Sequence, residues 1–367
     1  MDISDGVQHM HRALALARNA LNTADPNPRV GCVLVKDGVV VGEGWTARVG
    51  GPHAERVAIE NAGAQARGAT AYVTLEPCNH SGRTGPCTDA LIAAEVARVV
   101  CAVRDPNTTV AGGGIEALES AGIEVEVGVL EAEARAVNPG FWMRMGRGRP
   151  LVRSKLAVSL DGRTALANGK SQWITSAEAR EDVHRWRARS SAVMTGIGTI
   201  IADDPSLNAR LAQASVDIVQ PSRIIVDSQL RTPENAKTLS SPGERLIFTT
   251  QAESDKTTML VRRGVSVERV GGAAHCDLNE VMARLGALEF NEVWVEAGPG
   301  LNGALLRAGL IDELVIYVAP LLLGSASRGM FELGELTELA QCPRLSFDEI
   351  RAIGPDLRII ATPANVP

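Results

Sequence analysis

Pro52-His53-Ala54-Glu55, then Pro77-Cys78, then Gly85-Pro86-Cys87, is the stretch that decides how the first half of this chain is read. One imidazole and two thiols make a three-ligand zinc set. Three protein ligands leave the fourth position open, which is the pattern of catalytic rather than structural zinc. Glu55, two residues after the histidine, is placed to move protons on water held there. His53 and Cys87 each stand at an expected helix start, and Cys78 follows an expected strand end. A helix N-terminus favours negative charge, so Cys87 is expected to be a thiolate. A closed structural site would need a fourth ligand, and His80, between the two cysteines, offers one. Cys32 and Cys101 lie in apolar strands and read as packing.

Working outward, the elements around this stretch alternate. Residues 4–22 read as a helix capped by Ser4, with Val7, Met10, Leu14 and Leu21 at helical spacing. Strands at 30–35 and 39–44 flank Lys36-Asp37-Gly38, a hairpin signal. A helix is expected over 53–61, a short buried strand over 71–75, and a further helix after Cys87. A strand over 97–103, a helix over 115–120 and a strand over 123–127 complete an α/β pattern. Met145-Gly146-Arg147-Gly148-Arg149-Pro150 is short, basic and rich in Gly and Pro, and marks the expected boundary between domains 1–147 and 148–367. Beyond it the alternation restarts. Strands are expected over 151–158, 192–195, 223–226, 246–249, 292–295 and 314–318, with helices over 177–189, 278–285 and 301–308. Residues 211–222 read as a surface loop.

The 367 residues suffice for two domains, and 45% hydrophobic with 22% charged residues suits buried cores. A net charge of -6 offers no general attraction to a polyanion, which favours a small-molecule substrate over nucleic acid. Six scattered cysteines do not make a disulfide scaffold. With no apolar signal core and no apolar run of membrane-spanning length, the expected location is the cytoplasm. A homo-oligomer is expected. His9, His11, His184 and His275 read as ordinary surface or helix residues.

In the second half, an apolar strand ending at Glu296 runs into Gly298-Pro299-Gly300-Leu301-Asn302-Gly303 and then a helix. Glycines let the backbone approach phosphate, and the helix N-terminus favours the anion. A dinucleotide fold of the Rossmann type would carry an acidic residue about 20 positions on. That region reads Val318-Ala319-Pro320 instead, so the loop is expected to bind phosphate outside a Rossmann fold.

Histidine, glutamate and two cysteines in this order are the signature of the zinc-dependent base deaminases, in which the glutamate is not a ligand. Their usual two-residue gap between cysteines is here the loop Asn79-His80-Ser81-Gly82-Arg83-Thr84-Gly85-Pro86, which offers an imidazole, hydroxyls, an amide and a guanidinium to a polar ring or a phosphate. With this loop the chain resembles the bifunctional riboflavin-biosynthesis proteins, a pyrimidine deaminase fused to a reductase. Asn79 and Gly85 depart from that family's usual loop. The resemblance extends over Lys155-Leu156-Ala157-Val158-Ser159-Leu160-Asp161-Gly162-Arg163, Ser171-Gln172-Trp173-Ile174-Thr175, the stretch from Ala202 to Arg210, and Val295-Glu296-Ala297-Gly298-Pro299.

The resemblance implies an α/β chain, with a cytidine-deaminase-like three-layer domain followed by a dihydrofolate-reductase-like domain. It implies zinc on His53, Cys78 and Cys87, with Glu55 catalytic, and substrate-pocket loops at Asn27-Pro28 and Arg104-Asp105-Pro106-Asn107. It implies NADPH against Ala157, Trp173, Thr199, Asp203, Ser228 and the loop Gly298, Pro299, Gly300, Leu301, Asn302, Gly303 and Ala304. Substrate is implied at Lys155, Ser171, Arg187, Leu207, Arg210 and Glu296. Arg187 and Arg210 suit a sugar phosphate, and Asp203, Lys155 and Glu296 are the groups able to orient or protonate a sugar being reduced. Two rival readings remain at this level: a nucleoside or tRNA deaminase with an unrelated second domain, and a zinc-stabilised binding protein without catalysis. Glu55 separates the last, because a structural site has no use for that carboxylate.

Overall fold

The computed structural model describes residues 3–80, 85–107, 112–212, 217–272 and 274–364. The chain divides into two compact units, Met1–Gly148 and Arg149–Pro367. Ser81, Gly82, Arg83 and Thr84 of the long cysteine loop lie outside the described residues, as do 213–216 of the expected surface loop.

The first unit runs α1 (Ile3–Ala17), β1 (Gly31–Lys36), β2 (Val39–Trp45), α2 (Ala54–Ala62), β3 (Thr70–Val73), α3 (Cys87–Ala93), β4 (Arg98–Cys101), α4 (Gly113–Ser120), β5 (Glu124–Val127), α5 (Glu131–Val137) and α6 (Pro139–Arg147). Its five strands order β2-β1-β3-β4-β5, antiparallel on the β2 side and parallel from β3 to β5. The β1–β2 hairpin turns through Asp37 and Gly38, both at positive φ, as the sequence suggested.

Two glycines show how helices cover both faces. Gly31 pairs with Trp45, and the neighbouring pair Cys32–Gly44 points to the other side of the pleat. A Cβ on Gly31 would lie 1.9 Å from the Ala13 carbonyl oxygen of α1, and one on Gly44 would lie 2.3 Å from the Ala54 carbonyl oxygen of α2. The two helices therefore sit on opposite faces, each in backbone contact with the sheet. That close approach buries the first turn of α2, where Glu55 lies.

Helix α1 begins at Ile3, so Ser4 lies within it rather than ahead of it as a cap. Half of the expected boundary stretch is helical: α6 carries Met145–Arg147 and stops at Gly148, which takes the left-handed conformation of a helix C-terminus.

The second unit runs β6 (Leu151–Ser159), α7 (Ala177–Arg189), β7 (Ala192–Gly196), α8 (Ile197–Asp203), β8 (Ser222–Val226), α9 (Lys237–Ser240), β9 (Arg245–Thr249), α10 (Asp255–Arg262), β10 (Ser266–Arg269), α11 (Leu278–Ala287), β11 (Glu292–Val295), α12 (Pro299–Arg307), β12 (Glu313–Ala319), β13 (Leu345–Ile353) and β14 (Asp356–Pro363). The nine strands order β10-β9-β8-β7-β11-β6-β12-β14-β13. They are parallel as far as β12, and β14 and β13 add an antiparallel edge. The sequence reading did not include this hairpin. Its exposed positions include Leu345, Phe347 and Ile350, so β13 lacks the alternation that marks a half-buried strand.

Two buried arginines inside the sheet are held differently: Arg223 on β8 by backbone carbonyls, Arg153 by acids. Arg153 on central β6 bonds Glu292 and Glu313, which flank it on β11 and β12. Helix α7 is fixed from two sides. Trp186 stacks on Trp294 of β11 at 5.3 Å, and Asp182 accepts from Tyr317 and Arg358, each at 2.7 Å. The helix that carries Arg187 is thereby locked to β11, β12 and β14.

Candidate active sites

His53 caps α2 in an extended conformation, which turns its ring back toward the two thiols. Its Nδ1 lies 3.5 Å from Cys78 Sγ and 3.3 Å from Cys87 Sγ. Among the described residues these three form the one group with metal-ligand atoms close together, all within 4.8 Å of one another. Zinc bonds of about 2.0 and 2.3 Å at tetrahedral angles put nitrogen and sulfur roughly 3.6 Å apart, so the set fits the ion. Cys87 opens α3 and donates its backbone N–H to the Cys78 carbonyl at 3.0 Å, which holds the two thiols together. His80, the alternative fourth ligand, is exposed and stands outside this group.

The two thiols of the cluster share one hydrogen bond. A hydrogen bond from Cys87 pushes the Cys78 thiol down to about 4. The same bond, with burial, pushes Cys87 up; zinc on the pair would hold both sulfurs as thiolates. Glu55 is 4% exposed, and burial followed by the nearby Cys78 charge raises its carboxyl above the ordinary range. That is the direction that suits a carboxyl passing protons.

Sequence reasoning missed Glu76. Its buried carboxylate accepts from the backbone N–H of Asp105 and Gly112 on one oxygen and of Gly114 and Ile115 on the other, at 3.1 to 3.3 Å. It pins the Asp105 loop and the start of α4 beside Pro77-Cys78. The available signal was a single acid between an apolar strand and Pro77. Asp105 itself is pushed up to about 6 by burial, against a bond from the Asn107 N–H.

In the second unit a cleft of about 1590 Å³ collects most of the expected reductase residues. Lys155, Ala157, Ser171, Trp173, Arg187, Thr199, Asp203, Leu207, Arg210, Ser228, Glu296, Gly298, Pro299, Gly300, Leu301 and Ala304 all line it. Asn302 and Gly303 do not. Asn302 is fully buried and bonds Ser154 and the Ala297 carbonyl, so it braces the loop from behind. A Cβ on Gly303 would meet the Glu332 carbonyl oxygen at 2.2 Å, so that glycine serves close packing. Helix α12 opens with Pro299, and the first intrahelical bond runs from the Asn302 N–H to Gly298. The N–H groups of Gly300 and Leu301 have no partner within the helix, as phosphate binding requires. The glycine loop thus joins β11 to α12 beside a cleft that also offers the exposed Trp173 ring, with Arg180 4.5 Å over it.

Glu296 and Arg187 form a two-pronged pair of 2.5 and 2.8 Å, and Trp294 Nε1 donates to Glu296 at 2.9 Å. Burial works to raise the Glu296 carboxyl, but Arg187, Lys155 and Trp294 outweigh it and hold it at about 2. Arg187 also donates to the Asn208 carbonyl at 3.0 Å, so it is committed to protein partners before any phosphate. Burial lowers the Lys155 ammonium, with Glu296 opposing. Ser228 Oγ accepts from the Cys276 N–H at 2.9 Å, which anchors it at the far side of the cleft. His184, read from sequence as ordinary, lines the cleft one helical turn before Arg187 and contacts Arg210 through both ring nitrogens.

Both units match known families. Residues 4–103 match the cytidine and deoxycytidylate deaminase zinc-binding region, and residues 150–359 match the RibD C-terminal domain. The riboflavin biosynthesis protein RibD of Escherichia coli is 50% identical over 358 residues, 95% of this chain and 97% of that one. The chain belongs to the RibD family. A solved RibD of Acinetobacter baumannii superposes with a TM-score of 0.92 at 42% identity, over 99% of this chain and 100% of that one. A deaminase/reductase of Thermotoga maritima does so with a TM-score of 0.86 at 32% identity, over 98% and 99%. As a RibD protein, the chain is a bifunctional deaminase and reductase of riboflavin biosynthesis, with a cytidine-deaminase-like and a dihydrofolate-reductase-like domain. The cofactors are zinc for the first and NADPH for the second. It acts on small molecules. Among the described residues no helix is long and apolar enough to cross a membrane.

Proposed function

We propose that residues 1–147 hydrolyse an exocyclic amine of 2,5-diamino-6-(5-phosphoribosylamino)pyrimidin-4(3H)-one, releasing ammonia. Residues 148–367 then reduce the ribosyl group of 5-amino-6-(5-phosphoribosylamino)uracil to ribityl. The observation that carries this is Glu55, a buried carboxylate set against His53, Cys78 and Cys87.

Zinc held by His53, Cys78 and Cys87 supplies the Lewis acidity that makes water nucleophilic at neutral pH. Glu55 takes one proton from the attacking water and gives it to the ring nitrogen. It then carries the second proton to the leaving amine. Asn27 and the Asp105–Asn107 loop, held by Glu76, present polar groups to the pyrimidine.

In the cleft, NADPH supplies the hydride. The first N–H groups of α12, unpaired within the helix, would hold its phosphates, and Trp173, Thr199, Asp203, Ala157 and Ser228 would hold the rest of the dinucleotide. Ser171, Leu207 and Arg210 hold the substrate. The hydride that NADPH would supply would go to C1′ as the C1′–O4′ bond opens, and Lys155 would give the proton that O4′ takes. Glu296 stays anionic and orients both Lys155 and the sugar.

The exposed apolar side chains of Phe347, Ile350 and Leu357 on the edge hairpin support a homo-oligomer. Six free cysteines, two of them zinc ligands, favour a reducing cytoplasm. The test is to follow ammonia release and NADPH consumption with the diaminopyrimidinone substrate, before and after chelation. Chelation should stop the first activity, while the second persists when the deaminated product is supplied. Ammonia release that survives complete zinc removal overturns the assignment.

A further inference from the structure

Helix α7 lines the cleft with Arg180, Val183, His184 and Arg187. Arg187 is committed to Glu296 and the Asn208 carbonyl. Besides a backbone contact with Asn208, both ring nitrogens of His184 meet Arg210, and in a way that no protonation state satisfies. The Arg210 backbone N–H approaches Nδ1 at 3.2 Å, and Arg210 Nη2 approaches Nε2 at 3.2 Å. Both groups of Arg210 are donors. A neutral imidazole has one acceptor nitrogen and an imidazolium has none. One contact is therefore donor against donor whichever tautomer is drawn.

The surroundings decide which contact gives way. The backbone at 208–209 is gripped by Arg187 on the Asn208 carbonyl and by the Gln220 amide, which bonds Ala209 N–H and carbonyl at 3.0 and 2.9 Å. The Arg210 N–H cannot turn, so Nδ1 accepts it and the ring hydrogen sits on Nε2. The groups facing the ring are Arg187, Arg210 and Glu296. Burial, then the two arginines, push the ring down to about 4, so it stays neutral at working pH. Nε2–H and the Arg210 guanidinium are then two donors aimed at each other. A single oxygen that takes a hydrogen from each relieves the mismatch.

We propose that His184 is a specificity residue of the reductase site, which with Arg210 forms a two-donor subsite for the phosphate of the substrate. The proposal rests on reading this cleft as the reductase site. Arg210 supplies the charge from an exposed guanidinium, whose Nη1 donates to Asn208 Oδ1 at 2.7 Å while Nη2 faces the ring. His184 supplies a neutral donor and holds the Arg210 backbone.

The full-length protein, with His184→Leu and His184→Gln variants, should be assayed for NADPH-dependent reduction of 5-amino-6-(5-phosphoribosylamino)uracil and of its dephosphorylated riboside. His184→Leu should raise KM for the phosphorylated substrate about tenfold, with kcat within about twofold and riboside KM unchanged. His184→Gln should recover most of that loss, because its amide still accepts from Arg210 N–H and still donates. An equal rise for both substrates, or none for either, overturns the subsite. Independently, inorganic phosphate should raise the His184 titration midpoint in the wild-type protein, followed by imidazole NMR and assigned with the Gln variant. A midpoint unmoved by phosphate overturns the proposal even if the Leu variant does not fold. A wild-type protein that reduces neither compound overturns the reductase reading as well, which sets that failure apart.

Discussion

Adding one methyl group at Gly44 should disable deamination and spare reduction. A Cβ at this position lies 2.3 Å from the Ala54 carbonyl oxygen, 2.7 Å from the Ala58 nitrogen and 2.7 Å from Val57 Cβ. Carbon contacts relax near about 3.5 Å, so α2 must withdraw by roughly 1 Å. Most of what the methyl group meets is helix backbone, which cannot be moved aside by a rotamer change. Overpacking of this kind costs about 1–3 kcal/mol, which outweighs the gain of up to about 1 kcal/mol from a stiffer unfolded chain. The larger effect is on chemistry, because α2 carries His53 at its cap and Glu55 in its first turn. Metal sites tolerate about 0.2 Å, and a misplacement of about 1 Å costs roughly a hundredfold in rate. For Gly44→Ala, zinc per chain by metal analysis should fall below one, and ammonia release should drop about a hundredfold. NADPH oxidation with the deaminated product supplied should stay within about twofold of wild type. Full zinc content with wild-type ammonia release would refute the coupling of this backbone contact to the metal cluster.

Other perturbations separate the remaining roles. Glu55→Gln should retain zinc and lose ammonia release by about 10²- to 10⁴-fold, and retained turnover would remove Glu55 from proton transfer. Glu296 titrates at about 2 in the folded protein against an ordinary 4.5, so its contribution is complete above pH 4.5 and lost as pH falls toward 2. Those 2.5 units correspond to about 3 kcal/mol, and Glu296→Gln should flatten the acid-unfolding curve of the full-length protein between those limits. The Glu332 carboxylate lies 3.3 Å from where a Gly300 Cβ would stand, over the start of α12. Glu332→Gln should tighten NADPH binding roughly fivefold at low salt, with the gain fading at high salt; calorimetry showing no change would place the phosphates elsewhere.

The zinc ligands and Glu55 were legible because each is a local statement. A residue type stands at a helix start or a strand end, and the element carries it to the site. The same holds for the hairpin at Asp37-Gly38 and for α7, whose bounds match the periodicity of the sequence. Reading faltered where a residue's partner is distant in the chain. Glu76 gave no sign that it binds the amides of 105, 112, 114 and 115. Asn302 and Gly303 fit the glycine pattern, yet the fold turns them away from the cleft and toward Ser154 and Glu332.

The sequence by itself determined the two chemistries, since donor types and glycine loops limit what a site can hold. Tertiary structure alone decided how each ionisable group is used. Arg187 became the partner of Glu296, Glu76 came to hold the amides of the Asp105 loop, and His184 came to face Arg210. Charge state and hydrogen-bond commitment depend on burial and on neighbours within a few ångströms. Those neighbours are set by packing between elements far apart in the chain.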